Sequence, residues 1–212
     1  MQSLAPAEEN CPHCGYAMAA MDEIFGSDEV LLERMTDAAE ALSQVDRERV
    51  NAALDQFEQR FPQLFVAVYC GALPQQTSLR QFGFWLLNRA AIAGPDAMRP
   101  NENGALLILD THGRSAALVP GYFMECYIDE RDATRVLESA RRELQRGSWA
   151  TGLCQALDEL TNRLRRRAAE AAKFPERFTP PAPRATPGPP RFTRIREGHT
   201  RTAGRQPAEK DS

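Results

Sequence analysis

The sequence predicts an α/β fold, a three-layer sandwich with a small mixed central sheet and helices on both faces. Residues 105–110 form an apolar run that ends in a carboxylate, and a glycine-containing turn joins it to a second apolar run, residues 115–119. Two such runs are typical of a hairpin. Apolar residues at consecutive positions favour strands covered on both faces, so we expect the hairpin in the middle of a helix-covered sheet. Patterns typical of amphipathic helices precede and follow it.

The first helix and strand of the predicted domain have clear local signals. Ser43, followed three residues later by Asp46, fits a helix N-terminus, where the hydroxyl accepts a backbone N–H and the carboxylate reaches back. Apolar residues then recur at three- and four-residue spacing over residues 50–61, and Pro62 ends the helix. Residues 64–70 are β-branched and aromatic, which predicts a buried strand.

A second helix is predicted over residues 78–93, between that strand and the hairpin. A strand–helix–strand connection gives a right-handed parallel crossover. Phe82 and Trp85 are three residues apart and are predicted to lie in the core. Phe84 should point elsewhere, which makes it a candidate contact for a partner.

Two further helices complete the predicted domain, over residues 130–146 and 148–167. Each carries apolar residues along one face at helical spacing. The element order is therefore helix, strand, helix, strand, strand, helix, helix, which indicates a mixed sheet between helical layers.

Composition divides the 212 residues into three parts: a leader over residues 1–34, a domain over 35–172, and a tail over 173–212. The net charge of -3 conceals an asymmetry, because residues 163–212 hold 13 Lys and Arg against 5 Asp and Glu. Eight prolines between Pro175 and Pro207 and few aliphatic residues predict a disordered basic tail.

Several classes of protein are disfavoured by the sequence. No window reaches the ~18 apolar residues of a membrane helix, and the first residues lack the basic flank and apolar core of a secretory signal. The acidic domain disfavours specific nucleic-acid binding. Five cysteines without a framework spacing argue against a disulfide scaffold. We therefore expect a cytoplasmic protein with reduced thiols.

Five polar residues form a candidate cation- or ligand-binding set: Asn103, Asp110, Glu125 and Asp129 near the ends of the predicted hairpin, and Asp37 before the first predicted helix. Calcium takes six to eight oxygen ligands of this kind, and ligands usually bind at strand ends in open α/β sheets. The alternative is that Asp37 and Asp129 cap helices and that Glu125 pairs with an arginine.

The leader contains one Cys-x-x-Cys knuckle, in which Cys11 and Cys14 are candidate zinc ligands. A structural zinc site needs four ligands. Two chains could share one Cys₄ site as a homodimer, Cys126 or His112 could complete the site within one chain, or the knuckle is a relic that binds weakly. Zinc is favoured over redox chemistry because no strand precedes the knuckle.

Four ordered motifs resemble the TPM domain family over residues 35 to about 164. Residues 35–43 resemble its opening, 103–107 (Asn-Gly-Ala-Leu-Leu) its strand start, 121–125 its Gly-Tyr/x-Gly-x-Glu element, and 147–152 the start of its last helix. In this chain Met124 and Ser148 stand where many relatives have Gly and Asp.

The resemblance implies an α/β fold with a mixed sheet and a divalent cation, usually calcium, which would involve Asp37, Asn103 and Glu125. In some plant relatives it also implies weak acid phosphatase activity. The function expected from the sequence is a cytosolic, cation-dependent binding or accessory module with an unidentified protein partner. The alternative is a metal-dependent acid phosphatase that acts on phosphomonoesters.

Overall fold

The computed structural model describes residues 16–28, 30–92 and 103–179, without the side chains of residues 91, 92 and 122. Helices and strands alternate along this part of the chain: α1 Met18–Phe25, β1 Val30–Leu32, β2 Met35–Asp37, α2 Gln44–Arg60, β3 Phe65–Gly71, α3 Leu79–Arg89, β4 Ala90–Ile92, β5 Gly104–Asp110, β6 Ser115–Pro120, α4 Tyr122–Glu125, α5 Glu130–Arg146 and α6 Trp149–Ala171. A 3₁₀ turn, Pro175–Arg177, follows α6. None of the helices in these ranges is long and apolar enough to cross a membrane.

The central sheet has four strands in the order β2–β3–β5–β6. β2, β3 and β5 are parallel, and β6 returns antiparallel to β5. Helix α3 forms the crossover from β3 to β5, as the sequence predicts. A separate parallel pair, β1 with β4, lies outside this sheet.

Both faces of the sheet are buried, which confirms the predicted three-layer α/β sandwich. Alternate residues of β3 divide between two cores because side chains alternate along a strand. Phe65 and Ala67 pack with residues of α1 and α3, whereas Val66, Val68 and Cys70 pack with residues of α2, α5 and α6. The sheet is therefore the middle layer between two helical layers.

Helix boundaries follow the predicted capping signals. The Ser43 hydroxyl accepts the backbone N–H of Asp46 at 3.2 Å and donates to its carboxylate at 2.7 Å. Helix α5 has the predicted bounds: Asp129 caps its start, and Gly147 ends it with a positive φ of 79°. That left-handed conformation favours glycine.

Three expectations from the sequence, about strand order, exposure and secondary structure, differ from the structure. The hairpin is not in the middle of the sheet, because β6 is an edge strand. Phe84 is fully buried and meets the ring of Tyr16 edge-on at 5.8 Å, since α1 covers the outer side of α3. Residues 90–92, predicted as the end of a helix, form β4.

The packed region is also wider than residues 35–172. Met21 and Leu32, which fall in the predicted leader, are buried in the core beside α3. Phe178, which falls in the predicted tail, is buried with its ring 5.3 Å from that of Tyr127. Residues 180–212 lie outside the described part of the chain, so the disordered tail stays a prediction.

The contact of Phe178 predicts a difference between two truncations. Ending the chain after Lys173 should make it less stable than ending it after Thr179 by about 1.5–3 kcal/mol, the value of burying a large apolar side chain. Urea unfolding of both proteins measures the difference, and Phe178→Ala in the full chain should reproduce most of it. Equal stability of the two truncations would contradict a structural role for residues 174–179.

Candidate functional site

The carboxyl ends of the three parallel strands bring together two of the five predicted ligands. Asp37, the last residue of β2, is in register with Cys70 of β3. Gly71, the next residue of β3, is in register with Asp110, the last residue of β5. Asp37 and Asp110 thus lie at the same end of the sheet with β3 between them.

Asp37 is held by its own chain segment and by one arginine. Its Oδ1 accepts the backbone N–H of Ala41, and its Oδ2 accepts that of Leu42, both at 3.0 Å. Arg47, in the first turns of α2, approaches Oδ2 with Nη2 at 3.0 Å. The side chain is only 3% exposed. These contacts orient the loop between β2 and α2, although a cleft of about 440 Å³ lies beside the residue.

Asp110 organises two neighbouring turns in the same way. Its Oδ1 accepts the backbone N–H groups of Leu73 and His112, and its Oδ2 accepts that of Gly113. A Cβ at Gly113 would collide with Oδ2, so a side chain there would displace the carboxylate. The buried carboxylate therefore ties the hairpin turn to the segment that follows β3.

Asn103 and Glu125 lie at the opposite end of the sheet. Asn103 immediately precedes β5, and Glu125 ends α4, just after β6. The seven residues of β5 separate this end from Asp110 by about 20 Å at 3.3 Å per residue. The structure therefore does not bring Asp37 together with Asn103 and Glu125.

Asn103 and Glu125 themselves border two different clefts. Asn103 lines a mainly apolar one of about 300 Å³ beside Phe123 and Tyr127. Glu125 lines one of about 450 Å³ that runs along β6.

Asp129 caps α5 and joins an acid–arginine network. It accepts the backbone N–H of Asp132 at 2.8 Å, and Arg167 Nη2 lies 2.9 Å from its Oδ2. The backbone hydrogen bond from Asp132, together with the charge of Arg167, lowers the pKa of Asp129 below its usual value. Because the pKa is lowered in the folded state, the ionised Asp129 carboxylate stabilises the fold. This stabilisation is complete above about pH 4 and is lost as the pH falls through the folded-state pKa.

The centre of that network is Asp132, which the sequence analysis missed. Its Oδ2 accepts hydrogen bonds from Arg167 Nε at 2.8 Å and Nη2 at 2.6 Å, and Arg163 Nη1 lies 3.2 Å from its Oδ1. Asp132 is one of two buried acidic residues in the described part of the chain. One signal was available, because Asp132 lies one turn before the buried Val136 on an otherwise apolar helix face.

The described residues do not assemble the ligand set that calcium requires. Six to eight oxygens are needed, but Asp37 and Asp110 direct theirs at backbone N–H groups and an arginine, and the other candidates lie elsewhere. Within residues 16–28, 30–92 and 103–179, no cluster of three or more His, Cys, Asp or Glu side chains could hold a metal.

Cys11 and Cys14 of the zinc knuckle lie outside the described residues. Of the residues considered as completing ligands, His112 follows β5 at the Asp110 end of the sheet and Cys126 follows α4 at the other. Cys70 is fully buried. Burial, reinforced by the nearby charge of Asp37, raises the pKa of its thiol to about 12, so it is a poor source of thiolate near neutral pH.

The zinc hypothesis predicts that metal content and dimerisation are linked. If two chains share one Cys₄ site, the protein should bind about one zinc per two chains, and a chelator should convert the dimer to monomers. Elemental analysis and solution mass measure both quantities. Cys14→Ser should abolish zinc binding and dimer together, whereas Cys154→Ser, on α6, should change neither. One zinc per chain in a monomer would exclude the shared site.

The strand order and the two helical layers define the protein as an α/β sandwich, and comparison with known families identifies the family. Residues 35–163, more than half of the chain, match the TPM domain. The chain belongs to the TPM domain family, which confirms the resemblance in the sequence. No curated protein is significantly similar to the chain.

Two solved structures are similar in fold. One is the N-terminal domain of a P. gingivalis protein, determined by NMR, with 21% identity and a TM-score of 0.50 over 68% of this chain and 87% of that one. The other is the N-terminal domain of a Corynebacterium glutamicum protein, also determined by NMR, with 15% identity and a TM-score of 0.48 over 64% of this chain and 82% of that one.

Two motif residues after β6 pack in the interior of the protein. Met124, within the motif over residues 121–125, is buried in the core. Gly152 lies so close to α5 that a Cβ would meet Leu144 Cδ2 at 2.5 Å. Ser148 is the N-cap residue of α6 but makes no capping hydrogen bond with its side chain. In this chain, Met124 and Gly152 therefore serve the fold.

Proposed function

We propose that the chain is a binding or accessory module built on the TPM fold, without hydrolytic activity of its own. The observation that supports this proposal is the state of Asp37. It is the acidic residue singled out both by the family motif and by its position at the carboxyl end of the sheet. Its two oxygens accept two backbone N–H groups and face Arg47.

A catalytic carboxylate needs access to substrate, water or metal. A cation bound to Asp37 would displace Arg47 and so break their ion pair. The metal would also compete with the backbone N–H groups of Ala41 and Leu42 for the carboxylate oxygens. The arrangement is better suited to holding the loop in one conformation. A binding module needs such a rigid scaffold, since ordering the surface beforehand reduces the entropy lost on binding.

Hydrolysis of p-nitrophenyl phosphate tests the proposal. The full chain should hydrolyse it at the background rate with calcium, magnesium, manganese or zinc, at pH values from 5 to 8. Asp37→Asn should give the same rate as the parent, as should the control Glu138→Gln at an exposed position on α5. A metal-dependent rate that falls to background in Asp37→Asn, but not in Glu138→Gln, would overturn the proposal and establish the phosphatase alternative.

A further inference from the structure

One of the two edges of the central sheet, that of β6, is a slot with two helical walls. β6 pairs with β5 on one side and with no other strand in the described part of the chain. The 450 Å³ cleft along it has β6 as its floor, Arg80 of α3 on one side, and Ala133 and Leu137 of α5 on the other. A strand added here would continue the middle layer of the sandwich.

The register shows which backbone groups of β6 face this slot. Gly121 N–H donates to Gly104 C=O at 2.7 Å, which makes these two residues a hydrogen-bonded pair. Such pairs alternate with non-hydrogen-bonded pairs in an antiparallel ladder. With Ala105 opposite Pro120, it follows that Ala117 and Val119 face β5, whereas Ala116 and Leu118 direct their N–H and C=O groups into the slot.

Pro120 is the third residue of β6 whose backbone faces the slot. It has no N–H, and proline is confined to such outward positions of edge strands. The open ladder therefore offers two donors and three acceptors, from Ala116, Leu118 and Pro120. A free edge of this kind is a template for another extended segment.

The side chains around the slot define the chemistry of its occupant. Small residues, including Ala116 and Ala133, leave room beside the apolar Leu118 and Ile128. The rim carries Glu125, Asp129, Glu130 and Arg80, and Asp129 is already paired with Arg167. Glu130 and Arg80 lie 3.9 Å apart and are both largely exposed. An extended peptide with apolar and cationic side chains fits these surroundings.

The chain itself continues beside this slot. Phe178 packs on Tyr127, and the next two residues after Tyr127, Ile128 and Asp129, line the slot. Residues 180–190 contain six prolines and at about 3.1 Å per residue could span about 34 Å. That length exceeds the six residues of β6, which extend about 20 Å.

Residues 191–196, with the sequence Arg-Phe-Thr-Arg-Ile-Arg, have the required composition. Phe192 and Ile195 are the only large apolar residues beyond Thr179. Together with Thr193 they give the segment high strand propensity, and its three arginines are complementary in charge to the largely exposed Glu130 carboxylate at the rim. We infer that residues 191–196 of the same chain add to β6 as a fifth strand of the central sheet. This revises the expectation of disorder for these six residues alone.

Occupation of the slot covers the open edge of β6. The tether keeps the segment at a high effective concentration, in the millimolar range for short linkers. A separate peptide of similar composition would have to displace it. The inference is independent of the proposed absence of catalysis.

Hydrogen exchange of individual amides, measured by NMR on the full chain, tests the inference. The outward N–H groups of Ala116 and Leu118 should exchange slowly in the parent. They should exchange at least about tenfold faster in the double variant Phe192→Asp, Ile195→Asp. The amides of Ala117 and Val119, which face β5, should be slow in both proteins and so report that β6 is still paired.

A matched control places the same two charges outside the segment. Thr200→Asp with Ala203→Asp should leave the exchange of Ala116 and Leu118 as in the parent. Equal exchange at these two amides in the parent and in the Phe192, Ile195 variant would overturn the inference, whether both are fast or both are slow. Protection that appears only with a doubled solution mass, and disappears on dilution, would assign the slot to the tail of a second copy and would also overturn it.

Discussion

Replacing Asp132 with alanine is expected to lower the free energy of unfolding by about 3–5 kcal/mol, the usual effect of removing one partner of a buried ion pair. The Asp132 side chain is 6% exposed and bridges Arg163 and Arg167, which belong to successive turns of α6. Its loss removes the acceptor that both guanidinium groups share between α5 and α6, and leaves Arg163 with Glu159 and Arg167 with Asp129 and Glu170. Because Arg167 is 28% exposed, water can reach it, and we expect the lower part of this range.

Urea unfolding of the parent and of Asp132→Ala measures the effect. Asp132→Asn keeps the shape but removes the charge, so it should lose most of the same stability. The control is Glu138→Ala on the exposed side of α5, which should change stability by no more than about 0.5 kcal/mol. A loss below about 1 kcal/mol for Asp132→Ala would mean that water replaces the carboxylate without cost.

Asp37→Asn is expected to lower the free energy of unfolding by about 1.5–3 kcal/mol in the absence of metal, the value of hydrogen bonds to a charged group. Asparagine removes the charge that faces Arg47 and replaces one acceptor oxygen with an NH₂ group. At least one of the two backbone donors, Ala41 N–H or Leu42 N–H, would then lose strength or its partner. The loop before α2 would be less well held.

Calcium separates this expectation from the cation site implied by the family. If Asp37 and Glu125 were calcium ligands, calcium at a hundredfold excess over Kd would stabilise the parent by about 2.7 kcal/mol. Asp37→Asn and Glu125→Gln would abolish that gain and leave the metal-free protein at least as stable as the parent. Urea unfolding in EDTA and in calcium distinguishes the two cases, with Glu48→Gln, an exposed residue beside the same cleft as Asp37, as control.

The long helices and the two long parallel strands could be predicted because their signals are local. Residues 130–146 were predicted as a helix, and α5 is Glu130–Arg146, since the capping Asp129 and the left-handed Gly147 mark its ends. β1, β2 and β4 were not predicted. Each has three residues, which is too short for a period of two to be detected, and only pairing with a distant strand defines them.

The position of β6 shows a second limit. Its apolar residues correctly indicate helices on both faces of the sheet, which contribute the core around Leu118 and Val119. Side chains project above and below the sheet, so they carry no information about what lies beside a strand in the plane of the sheet. The prediction that the hairpin is central was therefore wrong for β6, although it was right for β5.

The candidate site was predicted in its parts but not in its arrangement. Asp37 and Asp110 do lie at the same end of the sheet, on either side of β3. Asn103 immediately precedes β5 and Asp110 ends it, so the two could not lie at one end of the sheet. The hydrogen bonds of Asp37 come from Ala41 and Leu42 in the loop before α2. Ser43 is the N-cap residue of that helix, so the capping alternative is correct for Asp129 but not for Asp37.

By itself, the sequence determined the class of the fold, the TPM domain family and the location of the apolar faces. These follow from the spacing of apolar residues and from local capping and motif residues, which act over a few positions. Only the tertiary structure decided the partner of each buried carboxylate, as between Asp132 and the arginines 31 and 35 positions later. Only the tertiary structure, likewise, showed that one edge of β6 has no partner strand among the described residues. The physical reason is that burial depends on a residue's own polarity, whereas a charge or a strand edge is satisfied by whichever group folding brings beside it.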